Sequence, residues 1–423
     1  MNNLKILVPL HTLPDVKSLT TMFFDKLLPV LKTKVNVHIL WLVYTPNKIS
    51  LTNLHYENYT ILDIHNYKNA IDVIQKEKPD LIFAETSWGF IDYALSSAAK
   101  FCNVPAFGMA SNSSHIQKNL IENISSNVTR FFQNSIPTDS KQNNKKFMKR
   151  GRFFLFKYFF LLKTKFVMKK DITHTLFTIW KFILSDKLHV RFANDVVEFL
   201  ENESLLNQRI KLGQKKSNLV VTGNPIYDST FQKLFTPTIS DKKDGFIHVL
   251  FVPSTLYEHG FWTHKQREFA VKETIRELQK NKNISITVKI HPSTSTLHDY
   301  ESLIHQIDSL IPIYQKGDIT KFLKNADVIL SFQSSTAEVF ALLSGKPIII
   351  CNFFDIKGDV FLERGMAVDC QNSSNLIESI DCALKINPAT KEKCDDFIKD
   401  YLHKVDGLSS ERICDEILKL IKI

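Results

Sequence analysis

Two polar motifs in the second half of the sequence each follow a β-branched run. His291 and Pro292 directly follow the run that extends from Ile284 to Ile290. A hydroxyl cluster follows the run from Asp327 to Ser331; it contains Ser334, Ser335 and Thr336, with Glu338 shortly after them. Ligands of open α/β sheets bind beyond the carboxyl ends of the strands. An imidazole, hydroxyls and the N–H groups of a helix start all suit phosphate oxygens, so the motifs predict a nucleotide monophosphate or diphosphate as ligand.

These residues also have structural explanations that need no ligand. Ser335 and Glu338 have the spacing of a capping box, in which the two side chains satisfy N–H groups at a helix start. His291 could bond to backbone at the end of its strand, with Pro292 only setting the turn. Capping and phosphate binding are compatible, because a ligand uses the N–H groups beside the cap. We therefore predict that both motifs contribute to the nucleotide site.

Two further turns are candidates for the same site. Ser254 and Thr255 follow the predicted strand from Ile247 to Val252, where a phosphate-facing loop and an ordinary βα turn are equally good explanations. Gly223 and Asn224 follow a predicted strand that ends at Thr222. They either contact the ligand or shape a turn between domains.

A carboxylate or a histidine close to a bound ligand can act as a general base. Glu85 follows the predicted strand Leu81–Ala84, and His11 and Asp15 follow the first predicted strand. Each is a candidate general base, and each could instead be a solvated loop residue or a helix cap. Glu258, His259 and His264 are close in sequence, but further ligands do not follow at zinc spacing, so we predict neither a metal nor a cofactor.

The elements that position these residues alternate along the chain. Apolar runs that are typical of strands buried on both faces are separated by segments with helical spacing. The linking lengths fit right-handed βαβ units. The sequence therefore predicts an α/β fold built on parallel sheets.

Changes in composition divide the chain. We predict a first domain over 1–228, a polar linker over 229–246 and a second domain over 247–423, whose last helix could pack back on the first domain. An insertion at about 111–190 interrupts the first domain. After it, one helix is predicted over roughly 194–212, ending at Gly213.

The net charge of +10 is concentrated in part of this insertion. Residues 141–170 hold eleven Lys and Arg, no Asp or Glu, and eight Phe and Tyr. The longest apolar run is too short to span a bilayer. A basic, aromatic, locally helical segment is typical of an interfacial membrane contact. The predicted contact residues are Arg152, Phe153, Phe156, Lys157 and Phe160; a solvated insertion with packed Phe side chains is the alternative.

Other classes of protein fit less well. No RNA- or DNA-binding module accompanies the basic segment, so nucleic acid is not an expected partner. The six cysteines show no CxxC pair, and the N-terminus leads directly into a strand, which predicts reduced thiols in a cytoplasmic protein.

The order of the motifs resembles that of the GT-B superfamily of nucleotide-sugar enzymes. The residues that carry this resemblance are Thr222-Gly223-Asn224-Pro225, Ile290-His291-Pro292, Ser334-Ser335-Thr336 and Gly345-Lys346-Pro347. The likeness is nearest to bacterial capsule and teichoic-acid transferases, including polysialyltransferases, Kdo transferases and glycerophosphotransferases that use CDP-glycerol. It implies two Rossmann-like domains that face a cleft, with the donor nucleotide on the C-terminal domain and the acceptor on the N-terminal one.

The resemblance also implies roles for residues. His291 matches the family's His-Pro histidine, which contacts the donor phosphate, and the hydroxyl cluster matches its serine-rich phosphate motif. Glu338 corresponds to an acidic residue that binds the ribose, although its offset from Gly345 departs from the epimerase pattern.

We therefore expect a glycosyltransferase, or a related enzyme that transfers a phospho-polyol, with a nucleotide-sugar donor and a cell-surface glycan or lipid-linked acceptor. It would act at the inner face of the membrane. A UDP-N-acetylglucosamine 2-epimerase is a second hypothesis, but Ala110-Ser111-Asn112 offers no carboxylate where that family has an acidic stretch. A non-catalytic sugar-nucleotide-binding protein is the third.

Overall fold

The computed structural model describes residues 3–11, 13–15, 18–44, 54–56, 58–84, 89–110, 155–169, 173, 196–211, 213–234, 245–292, 297–333 and 335–421. The chain forms two compact units. The first contains the described residues as far as Ser229 and those from Ile398 onward, and the second contains Thr230–Phe397.

The first unit is built on an eight-stranded sheet of the described residues. In chain order its strands are β1 (Asn3–Leu10), β2 (Asn36–Val43), β3 (Leu54–Tyr56), β4 (Tyr59–Asp63), β5 (Leu81–Phe83), β6 (Ala106–Ala110), β7 (Val197–Leu200) and β8 (Leu219–Val221). In space the order is β3-β4-β2-β1-β5-β6-β7-β8. Every pairing is parallel except that of β3 with β4. The order reverses between β1 and β5, which is the switch point of this sheet.

Helices pack against this sheet because their apolar residues recur at helical spacing. Their bounds are α1 (Leu19–Lys34), α2 (Ala70–Glu77), α3 (Phe90–Phe101), α4 (155–167) and α5 (Glu203–Lys211). Pro29 lies inside α1, and the capping box of Ser18 and Thr21 begins that helix. The described residues contain no helix that is long and apolar enough to cross a membrane.

One predicted helix of the first unit was wrong. Residues 194–212 were expected to form a single helix, but Val197–Leu200 is the strand β7 and only Glu203–Lys211 is helical. β7 pairs with both β6 and β8, so its Phe199 and Leu200 are fully buried. Sheet pairing on both sides therefore decided the conformation of a short segment whose apolar spacing was ambiguous.

The C-terminal part of the chain belongs to the first unit. A π-helix (Ile398–Leu402) leads to α14 (Ser409–Leu420), and α14 packs against α1. Ile413, Cys414 and Ile417 are fully buried in the core that surrounds β1 and α1. The Asp228 carboxylate accepts hydrogen bonds from the backbone N–H groups of Ser409 and Ser410 at 3.1 and 2.8 Å, and so holds the start of α14.

The second unit is built on a six-stranded sheet of its described residues, and every pairing is parallel. The strands are β9 (Ile247–Val252), β10 (Ile284–Lys289), β11 (Ile313–Tyr314), β12 (Val328–Ser331), β13 (Ile348–Cys351) and β14 (Val368–Cys370). Their spatial order is β11-β10-β9-β12-β13-β14, which places the switch point between β9 and β12.

The helices of the second unit follow its strands in βα order. They are α7 (His264–Gln279), α8 (Leu297–Ile304), α9 (Ile319–Asn325), α10 (Thr336–Leu343), α11 (Val360–Glu363), α12 (Leu376–Lys385) and α13 (Lys391–Phe397). A further helix, α6 (Asp228–Leu234), occupies the start of the segment that was predicted to be a linker. Central strands such as Val328–Ser331 and Ile348–Cys351 are buried along their whole length, as the β-branched runs predicted.

Candidate functional site

Three of the predicted nucleotide-binding loops lie at one edge of the second sheet. β9 pairs with β10 through Val288 and Phe251, and with β12 through Ser331 and Val252. The loops that follow these strands therefore leave the same carboxyl edge, with neighbouring strands about 4.8 Å apart. His291 follows β10, Ser254 and Thr255 follow β9, and Ser335 and Thr336 follow β12. Residue Ser334 lies outside the described residues.

Hydrogen bonds join two of these loops across the switch point. The Ser254 hydroxyl donates to the backbone carbonyl of Gln333 and accepts from the Gln333 N–H, each at 2.9 Å. The carbonyl of Thr255 accepts from the His259 N–H at 2.9 Å, which closes the turn after β9. Ser254 thus fixes the loop after β12 at the place where open α/β sheets bind ligands. Its bonds are to backbone, so its part in the site is to set the shape of this edge.

His291 is exposed next to a buried ammonium group. Lys289 is only 5% exposed, and its Nζ donates to the carbonyl oxygens of Ile290 and Gln315 at 2.9 Å each. Burial lowers the pKa of Lys289. The pKa of His291 is lowered first by partial burial of its ring and then by His259 and Lys289. An anion beside these three groups would be attracted by them, and would in turn favour the protonated imidazole.

The start of α10 has the capping box that the sequence predicted. The Ser335 backbone N–H donates to Glu338 Oε2 at 2.6 Å, and the Ser335 hydroxyl accepts from the Ala337 N–H at 3.3 Å. The Glu338 side chain is fully buried, and this burial raises its pKa. The cap accounts for Glu338, whereas a ribose contact requires an accessible carboxylate. Ser335 and Thr336 are exposed at the helix start, where a phosphate contact is geometrically possible.

Gly223 and Asn224 lie in the first unit and are engaged there. Gly223 has φ +84°, and a Cβ atom on it would lie 2.5 Å from Ser409 Oγ. Asn224 is buried, accepts from the Ile226 N–H at 3.0 Å and donates to Glu201 Oε1 at 3.3 Å. These contacts favour the turn-shaping explanation over nucleotide binding.

The Glu258 side chain packs beneath the loop after β9. Arg267, which is 5% exposed, lies 4.0 Å from Glu258 Oε1 and 3.5 Å from Asp299 Oδ2, and its guanidinium stacks 4.1 Å from the Tyr257 ring. The loop is anchored by Leu256 and Trp262, both buried. Glu258 is thus part of a structural ion pair. Within the part of the chain that the structure describes, no three His, Cys, Asp or Glu side chains are placed to hold a metal ion.

The candidate bases of the first unit are only partly covered by the structure. Glu85 lies outside the described residues. Asp15 is exposed in the loop after β1. His11 directly follows β1, its ring centroid lies 6.4 Å from that of Tyr44, and partial burial and Lys157 lower its pKa. His11 is therefore at the switch point of the first sheet.

The helix α4 corrects the predicted membrane contact. Phe160 is 2% exposed in the core, so it cannot contact a bilayer. Phe156 stacks on the His65 ring at 4.6 Å, and burial lowers the pKa of the half-buried Lys157. Arg152 and Phe153 lie outside the described residues. The sequence had assigned the membrane contact to the face of the helix that the domain core covers.

The opposite face of α4 carries the exposed apolar side chains. Leu155 is 51% exposed, Phe159 52% and Phe166 71%, at spacings of four and seven residues. Inward-facing polar groups fix this orientation: Thr164 Oγ1 accepts from the Ala70 N–H at 3.1 Å, and Lys165 Nζ donates to Ser97 Oγ at 2.7 Å. The helix therefore presents a defined apolar stripe, which is named the outer stripe below.

Sequence reasoning missed one polar pair in the first unit. Asp63 ends β4, and its carboxylate accepts from both the backbone N–H and Nδ1 of His65. The available signal was an Asp-x-His pattern at the end of the predicted strand Thr60–Ile64. That pattern is short and common, so it gave no reason to single out these residues.

Together, the two Rossmann-like units and the polar loops at the switch point of the second sheet define an α/β protein of the GT-B class. The sequence model of the CDP-glycerol:poly(glycerophosphate) glycerophosphotransferase family matches residues 207–419, half of the chain. The chain belongs to this family. No curated protein matches it.

Solved structures show the same fold over the whole chain. The MnaA–UDP co-structure from S. aureus is 13% identical, with a TM-score of 0.54 over 100% of this chain and 97% of that one. The UDP-GlcNAc 2-epimerase from Methanocaldococcus jannaschii in complex with UDP-GlcNAc and UDP is 16% identical, with a TM-score of 0.51 over 99% and 100%. The enzyme from Neisseria meningitidis bound to UDP-GlcNAc is 13% identical, with a TM-score of 0.50 over 99% and 100%. At these identities the likeness concerns the fold alone.

Proposed function

We propose that this protein is a transferase that moves a phospho-polyol, with glycerol phosphate as the first candidate, from a CDP-linked donor to a hydroxyl of a growing surface glycan or lipid-linked acceptor. The family match names CDP-glycerol as donor and poly(glycerophosphate) as acceptor. The observation that carries the proposal within the molecule is the edge formed by His291, Ser254 and Ser335 at the switch point of the second sheet.

The proposed chemistry assigns this edge to the departing nucleotide. The acceptor hydroxyl gives its proton to a general base as its oxygen bonds to the phosphorus that carries glycerol, the bridging P–O bond breaks, and CMP leaves with the electron pair. His291 and the N–H groups at the start of α10 stabilise the charge that grows on the CMP phosphate. Transfer of a sugar would use the same edge to hold a departing nucleotide, so a nucleotide-sugar donor is the alternative to CDP-glycerol. The proposed reaction includes no metal and no cofactor.

We propose further that the protein works at the inner membrane surface, where lipid-linked acceptors lie. The outer stripe of α4 is flanked by the exposed Lys163 and Lys169 and belongs to the most basic segment of the chain. Apolar side chains among cations suit the interface of an anionic bilayer.

A thermal-shift panel with CMP, CDP, UDP and GDP tests the nucleotide assignment. A ligand that binds only the folded protein raises its melting temperature. We expect a shift with CMP or CDP that exceeds the shift with UDP and GDP, and we expect His291→Ala to abolish it. The matched control is His305→Ala, which removes another histidine of the second unit. The Nε2 atom of His305 lies 3.2 Å from the carbonyl oxygen of Ile311, which precedes β11 and is therefore at the amino edge of the sheet.

The outcomes separate the parts of the proposal. A shift that survives in His291→Ala shows that the phosphate contact is misplaced. If none of the four nucleotides raises the melting temperature, the measurement is repeated with CDP-glycerol. If CDP-glycerol does not raise it either, nucleotide-dependent transfer is contradicted. A specific shift with UDP alone would replace the CDP-linked donor by a UDP-linked one.

A further inference from the structure

A second histidine lies beside His291 at the carboxyl edge of the second sheet. β9 and β10 are neighbouring parallel strands, and Phe251 pairs with Val288. Continued beyond the strands, this register brings Ser254 level with His291, on chains about 4.8 Å apart. His259 follows Ser254 in the same loop. Both histidines therefore belong to the second unit and to the edge that the proposed function assigns to the nucleotide.

Backbone hydrogen bonds keep His259 close to the end of β9. The His259 N–H donates to the carbonyl oxygen of Thr255 at 2.9 Å, and the Gly260 N–H donates to that of Tyr257 at 2.9 Å. Leu256, between these turns, is buried in the core of the second unit. The loop is therefore a compact turn that is anchored to the sheet, so the position of His259 is fixed.

Side-chain contacts draw this loop toward the segment that follows β10. Glu258, the residue before His259, accepts from the Tyr300 hydroxyl at 3.4 Å. Tyr300 is buried in α8, the helix that comes after His291 in the chain. Arg267 of α7 lies 4.0 Å from the same Glu258 carboxylate. The loop that carries His259 is thus bound to the element next to His291.

The charges at this place suit an anion. His259 and His291 are both exposed. His259 is close enough to His291 to lower its pKa, and the buried Lys289 lowers it further. The Glu258 carboxylate beneath the loop lies beside the Arg267 guanidinium, which offsets its negative charge. An anion between the two imidazoles would favour the protonated form of both and accept charge-assisted hydrogen bonds from them.

A CDP-linked donor brings two phosphate groups to this edge. The proposed function gives His291 and the start of α10 to the phosphate that departs with CMP. The glycerol-bearing phosphate requires a donor of its own, because its negative charge lies next to that of the first. His259 is the second imidazole at the same edge, and it lies in the loop of the strand between β10 and β12.

We propose that His259 binds the glycerol-bearing phosphate of the donor while His291 binds the phosphate of the departing CMP. The protonated imidazole of His259 donates a hydrogen bond to a non-bridging oxygen of the phosphate that the acceptor attacks. It keeps its proton throughout, so its part in the transfer is to stabilise charge and to orient the phosphorus. This inference rests on the proposed function, since it assigns a further binding residue to the same reaction.

A purely structural role for His259 makes a different prediction. The bond that closes the turn uses only the backbone N–H of His259. That bond needs no imidazole, so His259→Ala and His259→Gln both retain it. A loss of ligand affinity in these variants at unchanged melting temperature therefore reports on the imidazole.

The test compares ligands that carry one and two phosphates. Calorimetry at a fixed pH measures the binding of CMP, CDP and CDP-glycerol to the full-length wild type and to the two His259 variants. The matched control is His264→Ala, which removes the next histidine along the chain. His264 begins α7, and its Nδ1 lies 3.9 Å from Glu268 Oε2.

We expect wild type to bind CDP more tightly than CMP, because only CDP has the second phosphate. His259→Ala should weaken the binding of CDP and CDP-glycerol by about tenfold to a hundredfold, the usual effect of losing one hydrogen bond to a charged group. CMP affinity should stay within twofold. His259→Gln keeps a neutral donor and should lose less, and His264→Ala should match wild type for all three ligands.

The ratio of CDP affinity to CMP affinity decides the outcome. If His259→Ala lowers this ratio by less than threefold, the inference is overturned, while the assignment of His291 and the transferase proposal remain. An equal fall of the ratio in His264→Ala also overturns it, because a general effect of charge would then explain the loss. If His259→Ala does not fold, the ratio in His259→Gln decides by the same criterion.

Failure of the proposed function is read from wild type alone. A wild-type protein that binds none of the three ligands overturns the proposed function and the role of His259 with it. If wild type binds CDP-glycerol but transfers no glycerol phosphate to a poly(glycerophosphate) primer, the proposed transfer is wrong, and the binding role of His259 still depends on the affinity ratio.

Discussion

Lys289 is a cation that the fold keeps inside the second unit. Its two hydrogen bonds to the carbonyl oxygens of Ile290 and Gln315 offset part of the cost of burying an ammonium group. They also tie the end of β10 to the residue that follows β11. The buried Lys289 thus helps to fix the shape and the charge of the edge at which the neighbouring His291 lies.

Nucleotide binding should therefore be linked to proton uptake. The pKa of His291 lies below its usual value in the free protein because of partial burial and of His259 and Lys289. A bound phosphate favours the protonated imidazole and so raises the pKa of His291. Binding therefore takes up protons, and it weakens as the pH rises from the pKa of the free protein to that of the complex.

Calorimetry of CMP binding in two buffers with different ionisation enthalpies measures this uptake. Titration of the CMP phosphate is common to all variants, so the informative quantity is the difference between wild type and His291→Asn. Wild type should take up more protons per CMP bound. Equal uptake in the two proteins would show that the imidazole does not touch the phosphate.

Individual residues were predictable where their position followed from strand ends. His291 and Ser335 reach the same edge because parallel strands all end there, a rule that needs no side-chain detail. The outward face of α4 was not predictable, since Phe159 and Phe160 have the same chemistry and only packing against the first sheet distinguishes them. The Asp63–His65 pair escaped notice because a two-residue spacing carries little information without the sheet register.

At the scale of elements, the turn between β8 and α6 is bound to the start of α14. The Arg412 guanidinium donates to the carbonyl oxygen of Thr222 at 2.7 Å and to the Asp406 carboxylate at 2.9 and 3.0 Å. Gly223 has a positive φ and leaves no room for a Cβ atom beside Ser409. This turn holds the last helix in place.

Gly223→Ala should therefore lower the free energy of unfolding by about 2–4 kcal/mol, because backbone strain adds to a clash with Ser409. The control is Gly213→Ala, which has a similar φ of +88° but nothing within 4 Å of its Cβ position. It should cost about 1 kcal/mol from strain alone. Urea unfolding followed by circular dichroism measures both. If the two variants lose the same free energy of unfolding, the Ser409 side chain can move aside and the turn is not close-packed.

Elements were predictable in proportion to the length of their apolar runs. Ile284–Lys289 and Val328–Ser331 are fully formed strands because both faces of the sheet are covered. β7 was mistaken for part of a helix, since four residues cannot establish a period. The strand β3 was not predicted, because antiparallel pairing with β4 depends on a neighbour rather than on its own sequence.

At the scale of the whole molecule, the charge is distributed unevenly. The segment 141–170 carries eleven positive residues and no negative ones, and the outer stripe lies within it. Burying three large apolar side chains in an interface is worth several kcal/mol, and cations add attraction to anionic lipids.

We predict that the protein co-sediments with vesicles that contain phosphatidylglycerol. The triple variant Leu155→Ser, Phe159→Ser and Phe166→Ser should reduce binding at least tenfold. The matched control replaces Phe246, Leu310 and Ile386 by Ser, which removes exposed apolar side chains from the second unit. Raising the salt concentration should weaken binding of all proteins by screening. Equal binding by the two triple variants would place the membrane contact elsewhere.

The α/β architecture itself was predictable, because alternating βα units admit few topologies. The strand orders, with their switch points at β1/β5 and β9/β12, required the structure, since crossover direction leaves no mark in the sequence. The family match then connected the second unit to a named class of transferase.

The position of α14 has a consequence for synthesis. The core around β1 contains Ile413, Cys414 and Ile417, which the ribosome adds only after the whole second unit has been made. The first unit therefore cannot complete its core during synthesis, although most of its residues are made first. The apolar side chains of α1 that pack against α14 must stay uncovered, or be shielded by a chaperone, until that last helix has emerged.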